Sequence, residues 1–206
     1  MARIVLDPGH GGKDPGAVGP TGLREADVAY GVCEKLAALL EGHEVHLTRG
    51  TRDGPSLAER VDLSNRLKAG VFVSVHLNAA ANPAAEGIET FYHAQSPRGL
   101  RLATRLYDAL RAEFPQARGR GAKSDLTRYQ TGLYVLRNTI APAALVELEF
   151  ISHPAREAEM RDPGWAERAA RALAAGIREY IEETTPPRPP KPWDHPIDFR
   201  AGGGAA

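Results

Sequence analysis

The 206-residue sequence predicts an α/β fold: a three-layer sandwich with about six strands in a mostly parallel sheet and helices on both faces. Three observations carry that expectation. Short apolar runs rich in β-branched residues recur along the chain. Between them lie segments whose apolar residues return every three or four positions. Glycine and proline punctuate the boundaries.

Residues 2–6 form the first apolar run and read as a buried strand. A Gly- and Pro-rich loop follows, residues 7–22. Val28, Val32, Leu36 and Leu39 recur at helical spacing, and Gly42 follows as a stop signal. Val45 and Leu47 mark a second strand. Ser56 and Glu59 frame a capping box ahead of a helix begun by Leu57 and Val61. Residues 71–75 and 88–92 read as the third and fourth strands. Leu100, Ala103, Tyr107 and Leu110 stripe another helix. Residues 133–136 and 144–150 read as the last two strands. Trp165, Ala169, Leu173, Ile177 and Tyr180 stripe a final helix.

Composition narrows the function classes. Apolar residues make up 42% of the chain, too many for intrinsic disorder. With 26 basic and 26 acidic residues the formal charge is zero, which argues against a nucleic-acid partner. No apolar run approaches the roughly 20 residues of a membrane helix. The single cysteine, Cys33, excludes an internal disulfide and a Cys-rich metal site. The apolar start is too short for a signal peptide, so the expectation is synthesis without export or a leader already removed. Residues 1–183 read as the domain. Residues 184–206, with six prolines followed by three glycines, read as a flexible tail.

Four polar residues stand where strands end or helices begin. His10 follows the first strand, and His76 ends the third. Glu25 opens the first helix, directly after the loop holding His10. Glu147 interrupts the apolar run Ala144-Leu145-Val146-Glu147-Leu148, where an unpaired carboxylate is costly. In an α/β sheet, functional groups gather at the carboxyl ends of strands. Two imidazoles and a carboxylate form a hydrolytic zinc set, and a second carboxylate can move the water's proton. His43 and His46, three apart on a strand, point to opposite faces, and His93 and His153 are weaker candidates than His10 and His76.

The residues Ile4-Val5-Leu6-Asp7-Pro8-Gly9-His10-Gly11-Gly12 and Asp14-Pro15-Gly16-Ala17 carry a resemblance. It continues through Gly22-Leu23-Arg24-Glu25, Leu47-Thr48-Arg49, Ser74-Val75-His76-Leu77-Asn78-Ala79, Tyr134-Val135-Leu136-Arg137 and Leu145-Val146-Glu147. Over about residues 3–181 the chain resembles the zinc-dependent N-acetylmuramoyl-L-alanine amidases of the third family.

That resemblance implies a zinc-dependent exopeptidase-like sandwich that cuts the amide between the muramic lactyl group and L-alanine in peptidoglycan. It implies one Zn2+ per chain, with His10, Glu25 and His76 as ligands and Glu147 as the catalytic acid. Asp7, Asn78, Arg137 and Glu149 are expected behind the ligands or along the substrate. Two positions depart from the family pattern. Glu149 stands where a small residue is usual, and His153 replaces an asparagine. Strand alternation puts Glu149 on the face of Glu147, as a second acid near the site. A carboxypeptidase gripping a terminal carboxylate with Arg49, Arg120 or Arg137 shares the metal set, and a silent wall-binding module shares the fold. The expected setting is the cell wall, as a phage lysin released at lysis or an exported autolysin. Residues 114–132 hold a proline and several glycines, which argues against a plugging helix, so a basic loop lining the groove and activity without an activator partner are expected.

Overall fold

A computed structural model describes residues 1–128 and 130–185. The sheet is built from β1 (Arg3–Pro8), β2 (Glu44–Leu47), β3 (Val71–Asn78), β4 (Ile88–Tyr92), β5 (Gly119–Ser124) and β6 (Ala143–Phe150). The helices are α1 (Glu25–Leu39), α2 (Leu57–Arg66), α3 (Pro97–Glu113), α4 (Tyr134–Asn138), α5 (Pro154–Met160) and α6 (Pro163–Thr184). The strand order is β2-β1-β3-β6-β4-β5. β1, β2, β3 and β6 run parallel, whereas β4 pairs antiparallel with β6 and carries β5 parallel to itself.

Strand alternation divides the core in two. Ile4, Leu6, Val71, Val73, Val75, Ala144 and Val146 pack with α1, α3 and α6 through Leu36, Leu106 and Leu173. Val5, Phe72, Phe91 and Leu145 face the other way, onto Val61 of α2 and Val135 and Leu136 of α4. This second layer is thin, for α2 has 10 residues and α4 has 5. Past the apolar patch the same face continues in polar residues: Asp7 after Val5, Ser74 and His76 after Phe72, Glu147 after Leu145, and Glu89 before Phe91. The fold thus presents polar groups on the face that its helices cover least.

Local chemistry sets the helix starts. Ser56 and Glu59 form the expected capping box at α2. Ser96 and Asp162 cap α3 and α6, each followed by a proline in the first turn.

The six strands are not the six expected. The segment 133–136 is not a strand. It enters the short helix α4, after Gly132 at φ +70°. Its Leu-Tyr-Val-Leu run is too short to show a period, so helix and strand were indistinguishable there. The missing strand is β5, Gly-Arg-Gly-Ala-Lys-Ser, inside the segment expected to be a basic loop. It lacks β-branched and aromatic residues because it is an edge strand, held by its ladder to β4. The tail expected beyond Glu183 lies, from residue 186, outside the described residues.

Candidate active site

The loop after β1 is shaped for close approach. A Cβ on Gly9 would lie 2.3 Å from Cε1 of His76, so only glycine lets the ring sit against the backbone. At Gly16, where φ is +66°, a Cβ would meet His10 at 2.6 Å and Glu25 at 2.7 Å. Two buried arginines tie the loop down. Arg49 donates to the carbonyls of Pro8, Gly9 and Ala26 at 3.0, 2.9 and 2.7 Å. Arg60 donates to Pro8 and His10 carbonyls at 2.7 and 2.6 Å and to Asp7 Oδ1 at 2.7 Å.

His10, Glu25 and His76 converge. His10 Nε2 lies 3.0 Å, and His76 Nδ1 2.9 Å, from the same oxygen, Oε1 of Glu25. The backbone N–H groups of Leu77 and Ala17 donate to the two oxygens of Glu25, at 3.1 and 2.9 Å. His10 Nδ1 bonds Asp14 at 2.8 Å, which leaves Nε2 to face the cluster. Burial disfavours the charged His10 ring, yet its bonds to Glu25 and then Asp14 outweigh burial and hold its pKa up at about 9. Burial likewise works against a charged Glu25, but the two histidines hold it well below the usual carboxylate range. The three candidate donor atoms lie within 4.8 Å of one another. The two edges that meet at Glu25 Oε1, 3.0 and 2.9 Å, are near the roughly 3.3 Å expected between donors set about 2.0–2.1 Å from a tetrahedral zinc. A set of two nitrogens and one oxygen suits zinc, whereas calcium and magnesium call for oxygens.

Glu147 stands beside this cluster. In the sheet it pairs with His76 on one side and Glu89 on the other. It is 8% exposed, and its Oε2 has no hydrogen-bond partner among the described residues. Burial raises its pKa to about 7; Glu25 and Glu89 add to the rise, and His76 and Arg128 oppose it. A carboxyl poised there can take and return a proton at neutral pH.

Comparison with known proteins accords with this geometry. Residues 4–179 match the family described as N-acetylmuramoyl-L-alanine amidase. The chain belongs to that family. This amidase is 30% identical to the germination-specific N-acetylmuramoyl-L-alanine amidase of Bacillus subtilis (strain 168), over 89% of this chain and 81% of that one. It is 33% identical to the endolysin of Bacillus phage SPP1, over 88% and 67% of the two chains. Among solved structures it superposes on the amidase AmiC2 of Nostoc punctiforme with a TM-score of 0.81 and 32% identity, covering 88% of this chain and 97% of that one. The sheet and helices of the amidase are those of its structural neighbours.

Other expected site residues of the amidase fall at varied distances from the cluster. Asp7 is buried and accepts from Thr48 Oγ1, Arg60 and Ser74 Oγ at 2.6, 2.7 and 2.6 Å, so it acts on the loop through Arg60. Asn78 binds Glu89 at 2.5 Å and Arg128 at 3.1 Å. Arg137 is exposed and donates to the Thr131 carbonyl. Glu149 corrects the alternation argument. His76 pairs with Glu147 but Asn78 with Phe150, so a bulge intervenes. It turns Glu149 to the opposite face, where Gly87 and Phe150 N–H groups donate to it beside Trp165. His93 pairs with Asp125, and His153 caps α5. Sequence reasoning missed Asp14, Arg60 and Glu89 as functional residues. Only the i,i+4 spacing of His10 and Asp14 offered a signal.

Proposed function

We propose that this peptidoglycan amidase is a zinc hydrolase that cleaves between the muramic lactyl group and L-alanine. His10, Glu25 and His76 would hold the metal, and Glu147 would move the proton. The convergence of both imidazoles on one Glu25 oxygen, beside the buried Glu147 carboxyl whose Oε2 has no hydrogen-bond partner among the described residues, carries this reading. Residues 1–183 are the proposed catalytic unit. Cell-wall lysis or remodelling fits a chain similar to both a phage endolysin and a germination-specific amidase. Among the described residues no helix is long and apolar enough to cross a membrane.

Zinc held there would supply Lewis acidity, polarising the scissile carbonyl and acidifying water. The chain's own groups do the rest. Asp14 fixes the proton of His10 on Nδ1 and so orients Nε2. Ionised Glu147 takes the proton of the attacking water. The C–O bond forms as the carbonyl π electrons move onto oxygen; their return breaks the C–N bond while protonated Glu147 gives its proton to the departing L-alanine nitrogen.

Digestion of intact peptidoglycan tests the proposal. Freed lactyl groups with new L-alanine amino termini are expected; released D-alanine would mean a carboxypeptidase, and no product a binding module. A chelator should abolish turnover and zinc restore it. Full metal content and activity in His76→Ala would overturn the ligand set. We expect the isolated chain to act without an activator, because the described residues of segment 114–132 supply strand β5 and a 3-10 turn, Asp125–Thr127, and no long helix.

A further inference from the structure

A second cavity opens on the far side of Glu147 from the histidines, with a volume of about 550 Å3. Asn78, Glu89, Arg120, Lys123, Arg128 and Phe150 line it. Three cations meet one carboxylate here. Lys123 Nζ lies 2.6 Å and Arg120 Nε 3.2 Å from Glu89 Oε2, while Arg128 Nη1 lies 3.3 Å from Oε1. Glu89 itself is almost wholly buried, its side chain 4% exposed. The cation side chains remain 30%, 32% and 38% exposed. Arg120 and Lys123 alone bring two positive charges to this one carboxylate, so the groove keeps positive charge that faces solvent. Arg120 is further steadied over the Phe150 ring, 5.0 Å from its centroid.

The cleft on the other side differs. Its volume is about 420 Å3, and Leu57, Leu133, Tyr134 and Val135 contribute an apolar wall. Its one arginine, Arg60, is engaged by Asp7 and loop carbonyls. Glu147 sits between the two, in register with His76 towards the apolar cleft and with Glu89 towards the cationic one. A substrate lying across Glu147 therefore meets opposite chemistry on its two sides. The glycan side of a muramoyl peptide is largely neutral, whereas the peptide side carries carboxylates.

We propose that the Arg120–Lys123–Arg128 groove binds a carboxylate on the peptide side of the substrate, and so fixes the direction in which the substrate lies. This rests on the amidase reading above. Reach agrees with it. The neighbouring strand is about 4.8 Å away, and the ion pairs extend roughly 3 Å more. The cations thus stand about two residues beyond the scissile amide, at roughly 3.4 Å per extended residue. Glu89 holds the cations in place while the groove stands empty. An incoming carboxylate adds charge-assisted bonds to Arg120 and Lys123.

The test is a titration of zinc-loaded protein with N-acetyl-L-alanyl-D-glutamate and with its neutral diamide, followed by NMR. The acid should bind about tenfold tighter, as expected for a charge-assisted contact. Arg120→Gln and Lys123→Gln should each remove most of that preference while leaving the diamide's affinity and the melting temperature close to wild type. With muramoyl-L-alanyl-D-glutamate as substrate, the same variants should raise KM more than they lower kcat. Equal affinity for acid and diamide in wild type, or an undiminished preference in both variants, would overturn the proposal. A retained preference for the acid in a protein that fails to cleave any muramoyl peptide would instead refute the amidase reading and leave the groove assigned.

Discussion

Glu147 and Glu89 stand directly opposite one another where β4 pairs antiparallel with β6. Like charges in that position ordinarily destabilise a sheet. Here their surroundings differ. Burial works against a charged Glu89, but Lys123 and Arg120 outweigh it and hold its carboxyl below the usual range. Glu147 Oε2 has no hydrogen-bond partner among the described residues, and burial lifts the carboxyl to about 7. One carboxylate stays ionised and the other exchanges protons, a division of labour set by environment alone.

Replacement of Glu147 by glutamine should keep the fold and the zinc but lower kcat by about 10²- to 10⁴-fold. Glu149→Gln, on the far face of the bulge, should change kcat little. Steady-state kinetics with metal analysis checks both, and reversed effects would move the proton-transfer role to Glu149.

The raised pKa of Glu147 gives two linked pH effects. Its ionised form is the base, so kcat/KM should climb as pH rises through this carboxyl's pKa, which is about 7 without metal and lower beside a bound cation. Stability runs the other way. The unfolded chain ionises this group near 4.5 and the folded one near 7, so wild type loses stability across that window as pH rises. Relative to Glu147→Gln, the metal-free protein should lose on the order of 3 kcal/mol between pH 4.5 and 7. Urea denaturation of the two proteins at both pH values measures the difference. A constant gap would contradict a Glu147 carboxyl held neutral by burial.

Asp14→Asn should weaken zinc binding by about 10- to 100-fold with little change in melting temperature. Asp14 is 65% exposed at its side chain and supports His10 alone among the histidines. Competition with a chromogenic chelator reads the affinity. Unchanged affinity would show that the His10 ring is set by packing.

Gly9→Ala should fold and lose metal. The new methyl would lie 2.3–2.6 Å from three atoms of the His76 ring, which must swing away from Glu25. Zinc stoichiometry near one per chain would show that the loop can yield instead.

The sheet was legible where burial wrote it into the sequence. Residues 71–75 and 144–150 are nearly all apolar because both faces of β3 and β6 are covered. β5 was not legible, since an edge strand needs backbone pairing more than side-chain pattern. The helix α4 was misread because its Val135 and Leu136 anchor a single turn. His10, Glu25, His76 and Glu147 could be picked out because each interrupts or ends an apolar element. Glu149 was misplaced because period-2 alternation does not announce a bulge. Glu89 was passed over because a single acid in a strand resembles any solvent-facing one until its three cations are seen.

The arginine straps bear on how the chain would meet the proposed zinc. Arg49 and Arg60 anchor the His10 loop to backbone carbonyls, with no part in the donor set. These bonds order the loop without the ion, so little ordering entropy is left for ion capture to overcome. A zinc finger behaves oppositely, since its chain collapses only around the ion. Here the scaffold precedes the ion. Stripping and reloading the metal should be cycles on one rigid frame, and zinc supply would set the number of working molecules without altering the number of folded ones.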